Sequence, residues 1–183
     1  MKDKVYKEII DWLKAIVIAG IIAFVLHTFV FSLVLVNGLS MYPTLNDSER
    51  LILNKTSYVF NEPERGDIVV FHVPNSEDYI KRVIGLPGET IEMRADQLFI
   101  NDKPVDEPYL AAYKSTYNEI GKYLTEDFGP VTIKEGHLFV MGDNRRNSSD
   151  SRSIGAISAD QMIGKVAIRI WPLGTIGSIT SVD

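Results

Sequence analysis

The hydrophobic pattern of the chain changes character once, near residue 36. From Ala15 to Val36 there is no Asp, Glu, Lys or Arg, a run of 22 residues rich in Ile, Val, Leu and Phe. A helix needs about 20 residues to cross the hydrocarbon core of a bilayer, so this run predicts a membrane-spanning helix. A cleavable leader would carry an apolar stretch of only about 7–15 residues and a small-x-small site after it. Here the run is longer and ends in Val34-Leu35-Val36-Asn37-Gly38, with no Ala-x-Ala. The expectation is an uncleaved anchor over residues 12–33, with Trp12 at the interface and Lys14 reaching the headgroups. Lys2, Lys4, Lys7 and Lys14 precede the run. By the positive-inside rule, residues 1–11 are then cytoplasmic and residues 34–183 lie on the outer face of the cytoplasmic membrane. His27, the one ionisable group in the run, is read as neutral and without a role.

Beyond residue 44 the pattern shortens to β-type runs: Leu51–Leu53, Asp67–Val73, Tyr79–Ile84, Thr90–Met93, Gln97–Ile100, His137–Met141 and Lys165–Ile170. Turn signals separate them at Arg65-Gly66-Asp67, Leu86-Pro87-Gly88, Asn101-Asp102, Gly142-Asp143-Asn144 and Trp171-Pro172-Leu173-Gly174. Many short strands at this spacing predict a mainly β, barrel-like domain. Ser158-Ala159-Asp160-Gln161 has the form of a capping box and predicts one short helix. Residues 109–133, rich in Tyr and Lys, fit no period and are expected to form an irregular surface excursion.

Composition narrows the chemistry. The 183 residues suit one membrane segment and one compact domain, and a net charge of −5 offers no basic footprint for nucleic acid. There is no cysteine, which excludes thiolate metal sites, a cysteine nucleophile and disulfides. The three histidines, at 27, 72 and 137, share no metal-ligand spacing. No metal or other cofactor is expected.

Ser40 opens Ser40-Met41-Tyr42-Pro43-Thr44-Leu45, just outside the apolar run. Alone it reads as a turn serine. Lys81 lies in the strand pattern 79–84, on the face of Tyr79 and Val83 and opposite Ile80 and Arg82. A solvated strand lysine is the plain reading. Inside an apolar site, however, desolvation would lower its pKa and make it a base for a serine hydroxyl, a known variant of the nucleophile–base arrangement. Gly142–Arg152, dense in Asp, Asn, Arg and Ser, is either a solvated loop or a hydrogen-bonded network that holds a site. Arg65-Gly66-Asp67, although an adhesion tripeptide, reads as a turn feeding an apolar strand.

Four blocks, Ser40–Leu45, Arg65–Phe71, Tyr79–Glu89 and Gly142–Arg152, follow an amino-terminal anchor in this order. Together they resemble the bacterial type I signal peptidases, of the compact kind found in Gram-positive bacteria such as bacilli. The resemblance covers essentially the whole chain. It implies an antiparallel β domain of the signal peptidase/repressor-protease type, with an apolar surface against the outer leaflet. It also implies hydrolysis of secretory preproteins after a small-x-small sequence. Ser40 would be the nucleophile and Lys81 the general base. Ser148 would be the serine that orients the lysine, Asp150 and Arg152 a supporting ion pair, and Asp143 and Arg145 part of the loop scaffold. Val36 and Ile80 would line the shallow pockets for small side chains. The family's oxyanion hole uses the nucleophile's own N–H, here that of Ser40. In enterobacterial members a serine hydroxyl two residues earlier adds a second donor; Gly38 stands at that position, leaving a backbone N–H, a water or nothing in its place.

Two other readings compete. A self-cleaving repressor-type protease shares the Ser-Lys pair, but a membrane anchor and the lack of a DNA-binding element count against it. A membrane-anchored binding module would need neither Ser40 nor Lys81.

Overall fold

The structure, a computed structural model, describes residues 2–74 and 76–179. It begins with helix α1, Lys2–Val25, which widens into one π-helical turn at Leu26–Val30. Tyr6–Val30 is long and apolar enough to cross a membrane, and its most apolar stretch is exposed. Only its far end meets the domain, where the Lys55 N–H donates to the Val30 carbonyl at 2.9 Å and the Lys55 ammonium to the Thr28 carbonyl at 3.2 Å. The helix does not take up the whole apolar run. Its last residues form strand β1, Phe31–Leu35, which pairs antiparallel with β2, Arg50–Asn54. In β1 Phe31, Leu33 and Leu35 are exposed while Ser32 and Val34 are half-buried, the alternation expected of a strand with one covered face.

The remaining strands are β3 (Ile68–Phe71), β4 (Tyr79–Gly85), β5 (Thr90–Arg94), β6 (Gln97–Ile100), β7 (Lys103–Val105), β8 (Phe128–Thr132), β9 (His137–Met141), β10 (Ile157–Ser158), β11 (Met162–Trp171) and β12 (Gly177–Ser178). The main sheet runs β1-β2-β11-β3-β4-β9-β10, with β12 added to β11; a four-stranded sheet runs β7-β6-β5-β8. The strand pairs are antiparallel throughout. The expected class, mainly β behind an amino-terminal apolar helix, is what the chain adopts, and each predicted β run matches a strand, with Asp67–Val73 overrunning β3 at both ends. The Asn101-Asp102 turn between β6 and β7 takes φ of 49° and 61°, the left-handed pair that a tight hairpin requires. The predicted capping box at Ser158–Gln161 is present and starts a 3₁₀ turn, Ala159–Gln161.

Residues 109–133 are more ordered than expected. They contain α3, Ala111–Glu119, and β8, which pairs with β5. Helix α3 has no apolar stripe to betray it. It is held by Lys114, whose ammonium donates to the Asp96 carbonyl at 2.6 Å and to Glu107 at 3.1 Å. Tyr113 adds an edge-to-face contact with Tyr42, centroids 5.7 Å apart. Two short helices, α2 (Ser57–Phe60) and α4 (Ser151–Ile154), complete the fold.

Three apolar clusters hold the domain together. One, with Val36, Met41, Leu45, Leu51, Leu53 and Val166, includes two residues of the Ser40–Leu45 block. A second joins the two sheets through Ile84, Ile91, Met93, Leu98, Phe139 and Met141. The third packs Val69, Phe71, Val83, Val140 and Ile157. Met41 and Leu45 are fully buried, so the turn that carries Ser40 is pinned from below by its own sequence.

Candidate active site

Ser40 leaves the end of β1 in a turn whose apolar residues, Val36 and Met41, are in the core. Strand β4 brings Lys81 to it from 41 positions away: Lys81 Nζ donates to Ser40 Oγ at 2.8 Å and to the Ile80 carbonyl at 3.0 Å. Lys81 is buried, with 4% of its surface exposed. Burial pushes its ammonium down to about 8, while the carboxylates of Asp150 and Asp143 pull the other way. The neutral amine can accept the serine proton across the same 2.8 Å.

The pair stands at one end of an open groove of about 750 Å³, whose lining includes Val34, Val36, Ile80 and Ile163. Both predicted pocket residues, Val36 and Ile80, are therefore on its wall. β1 forms one side and ends the main sheet.

Of the two readings its composition left open, the loop Gly142–Arg152 takes the network, and it grips Ser40 through Asn144. The Asn144 N–H donates to the Ser40 carbonyl at 3.0 Å, and its side-chain amide donates to the Leu39 carbonyl at 3.0 Å. Asp150 and Arg152 form the expected bidentate ion pair, at 2.8 Å for each arm, and Asp150 also accepts the Gly142 N–H at 3.0 Å. Burial works against the Asp150 charge, but Arg152 and that N–H keep its carboxyl below the usual range.

Asp143 and Arg145 belong to two separate buried pairs. Asp143 binds Arg82 at 3.0 and 2.8 Å, with both side chains fully buried. Arg82 also donates to the Gly66 carbonyl at 3.0 Å and to Thr44 Oγ1 at 3.3 Å, and Thr44 in turn donates to Asp143. The Arg65-Gly66-Asp67 turn is thus structural. Arg145 pairs with Glu107 and donates to the Gly142 carbonyl at 3.1 Å. Burial opposes the Glu107 charge, and Arg145 and Lys114 overcome it, holding the carboxyl at about 2. Sequence reasoning did not single out Arg82, Glu107, Thr44 or Asn144. For Arg82 there was a signal: it alternates with Lys81 on a strand, so its charge had to meet an anion on the core side.

Ser148 and Gly38 depart from the simplest expectation. The Ser148 hydroxyl is buried and is not hydrogen-bonded to Lys81; its interaction is with Asp150, whose carboxylate it helps to stabilise. It sits against Gly142, where a Cβ would collide with it and with the Ser40 carbonyl oxygen. The Gly38 N–H is already engaged, donating to Asp47 Oδ1 at 2.6 Å. The Ser40 N–H makes no hydrogen bond among the described residues and stays free to meet an incoming oxygen.

Known proteins bear on this arrangement. The sequence profile of the family described as signal peptidase, peptidase S26, matches residues 9–171. The chain belongs to the peptidase S26 family of signal peptidases. It is 49% identical over 170 residues to signal peptidase I S of Bacillus subtilis, with 91% of each chain covered. With signal peptidase I of Bacillus amyloliquefaciens it shares 46% over 178 residues, 96% of each, and with signal peptidase IB of Staphylococcus aureus 41% over 176 residues, 91% of each. The crystal structure of a signal peptidase I from Enterococcus faecalis superposes with a TM-score of 0.53 at 39% identity, covering 57% of this chain and 97% of that one. As a member of this peptidase family the chain is a hydrolase, and the family resemblance carried by its four sequence blocks holds over nearly its full length.

Proposed function

We propose that the chain is a membrane-bound serine endopeptidase that removes signal peptides from secretory preproteins with a Ser40–Lys81 dyad. The observation that carries this reading is the 2.8 Å contact between a buried lysine and a serine at the end of an apolar groove. Neutral Lys81 takes the Ser40 proton as Oγ attacks the scissile carbonyl. The oxyanion that forms is met by the Ser40 N–H. The new ammonium of Lys81 then protonates the leaving nitrogen, which departs as the amino terminus of the mature protein. The signal peptide remains as an ester on Ser40. Lys81, neutral again, draws a proton from water, the hydroxide attacks the ester, and the signal peptide leaves with a free carboxylate while Ser40 recovers its proton.

The groove supports the substrate class. β1 ends its sheet, so an extended peptide can add to it through backbone hydrogen bonds while alternate side chains enter the wall. Val36 and Ile80 make that wall apolar, which suits small side chains at the two alternate positions before the cleaved bond. Asp143, Arg145, Asp150 and Arg152 hold the loop that clamps Ser40, and Ser148 is assigned to orienting Lys81 once substrate is bound. The polypeptide runs from a cytoplasmic amino terminus (1–11) through a single anchor to a catalytic domain on the outer face. The anchor expected over 12–33 and the domain expected over 34–183 meet earlier than that, because residues 31–33 belong to β1. The bilayer is its second partner, and neither nucleic acid nor a cofactor takes part. Tyr6–Val30 supports the anchor by length and apolarity.

The test uses purified full-length protein in detergent with a preprotein, followed by amino-terminal sequencing of the product. A single new amino terminus after a small-x-small sequence is expected, lost in both Ser40→Ala and Lys81→Ala, with each variant still folded. Full activity in Lys81→Ala would sink the dyad.

A further inference from the structure

The last turn before Ser40 is held by a contact that the dyad and the loop do not account for. Gly38 has φ 85°, in the left-handed region that residues with side chains rarely enter. Its N–H points at Asp47 Oδ1, 2.6 Å away. Asp47 also accepts the Ser48 hydroxyl at 2.9 Å. The Gly38 N–H first, and Ser48 second, keep its carboxyl below the usual range, so it remains an anion where the enzyme works.

The support beneath Asp47 is fixed. The Val36 N–H donates to the Glu49 carbonyl and the Ser48 N–H to the Val36 carbonyl, both at 2.9 Å. Buried Glu49 receives Arg169 on both oxygens, at 2.8 and 3.0 Å. One end of the segment Gly38–Ser40 is thus tied by Asp47 and the other by Asn144 through the Leu39 and Ser40 carbonyls. Between the two ties lies the Ser40 N–H. Because the Gly38 N–H is spent on Asp47, and glycine has no hydroxyl, the aim of the Ser40 N–H matters more than it would in a site with two donors.

We propose that Asp47 is a positioning residue for the peptidase reaction: by accepting the Gly38 N–H it fixes the left-handed turn that aims the Ser40 N–H at the carbonyl under attack. This rests on Ser40 being the nucleophile. A negative charge so near works against a developing oxyanion. What the site uses is the acceptor oxygen, not the charge, and an asparagine supplies the same oxygen.

The test measures kcat and KM for the full-length enzyme in detergent on a peptide with a small-x-small site. Asp47→Ala lowers kcat about tenfold, part of the roughly 10²–10³ that loss of an oxyanion donor costs, with KM changed by less than about twofold. Asp47→Asn keeps kcat at or above the parent value. An unchanged kcat in Asp47→Ala overturns the proposal, as does an equal loss in both variants. If Asp47→Ala fails to fold, Gly38→Ala takes its place. Open space surrounds the added Cβ, so only the backbone angle resists it; a parent kcat there also overturns the proposal. Ser40→Ala, run in parallel, separates two failures. Activity that survives it removes the nucleophile itself, whereas a dead Ser40→Ala beside a fully active Asp47→Ala removes only the role of Asp47.

Discussion

The acid limb of the pH profile is the sharpest measure of the Ser40–Lys81 pair. An exposed lysine with a pKa of about 10.4 would be neutral to only about 0.04% at pH 7. Burial brings Lys81 to about 8, which leaves about 10% neutral at pH 7 and about 1% at pH 6. The fold therefore raises the reactive form by about 200-fold at neutral pH. Because the protonated form is the inactive one, activity is lost as pH falls. The assay is kcat/KM on a peptide substrate from pH 6 to 10, which reports the free enzyme. It should climb about tenfold per pH unit up to about 8 and then level off. A flat profile across that range, or a break near the value of an exposed lysine, would refute the neutral-base reasoning. Asp150 is the larger of the two carboxylates that hold the Lys81 pKa up. Asp150→Asn should then move the break to lower pH, since the remaining Arg152 charge pushes the same way; a break displaced upward would contradict the electrostatic account.

Two substitutions probe the floor of the site. Gly142→Ala drives a methyl into the Ser148 hydroxyl and the Ser40 carbonyl oxygen. A displacement of the nucleophile by an ångström costs on the order of 10²-fold, so kcat should fall by at least that much; a near-parent rate would mean that the loop relaxes freely. Ser148→Ala removes a buried hydroxyl that faces the Asp150 carboxylate, so thermal unfolding should show only a small loss of stability, about 1 kcal/mol. Its kcat should fall on the order of tenfold, less than the roughly 10²–10⁴ carried by a general base as a whole, and a parent kcat would remove Ser148 from the site.

Alternation of half-buried and buried positions made β5 and β6 legible, whereas β3 and β9, covered on both faces, were legible as short apolar runs bounded by turn signals. The same alternation put Lys81 and Val83 on one side of β4 and Arg82 on the other. β1 was hidden for the opposite reason. Phe31–Leu35 is apolar at nearly every position, and a membrane helix and a strand lying beside one look alike in composition. Helix α3 escaped notice because its support is long-range: Lys114 reaches Asp96 and Glu107, and Tyr113 reaches Tyr42. The buried pairs were beyond reach for the same reason. Arg82 and Asp143 are 61 positions apart, and Arg145 and Glu107 38. A loop rich in charges announces that it will pair, but not with whom. The Ser40 and Lys81 positions were readable only because four short blocks occur together; the contact between them was not.

The alternation on β4 has a consequence for how the enzyme assembles. Two cations, Lys81 and Arg82, sit side by side in sequence and must part company, one to the groove and one to the core. A slip of β4 by a single residue would exchange them. Arginine, always charged, would then occupy the position beside Ser40, and lysine would face Asp143 without the second arm of a guanidinium fork. The Arg82–Asp143 pair, 2.8 Å long and sealed from water, accepts one of these arrangements and rejects the other. Folding in the wrong register and losing the proposed base are then the same error. The pair that proofreads the sheet also selects which amine meets Ser40.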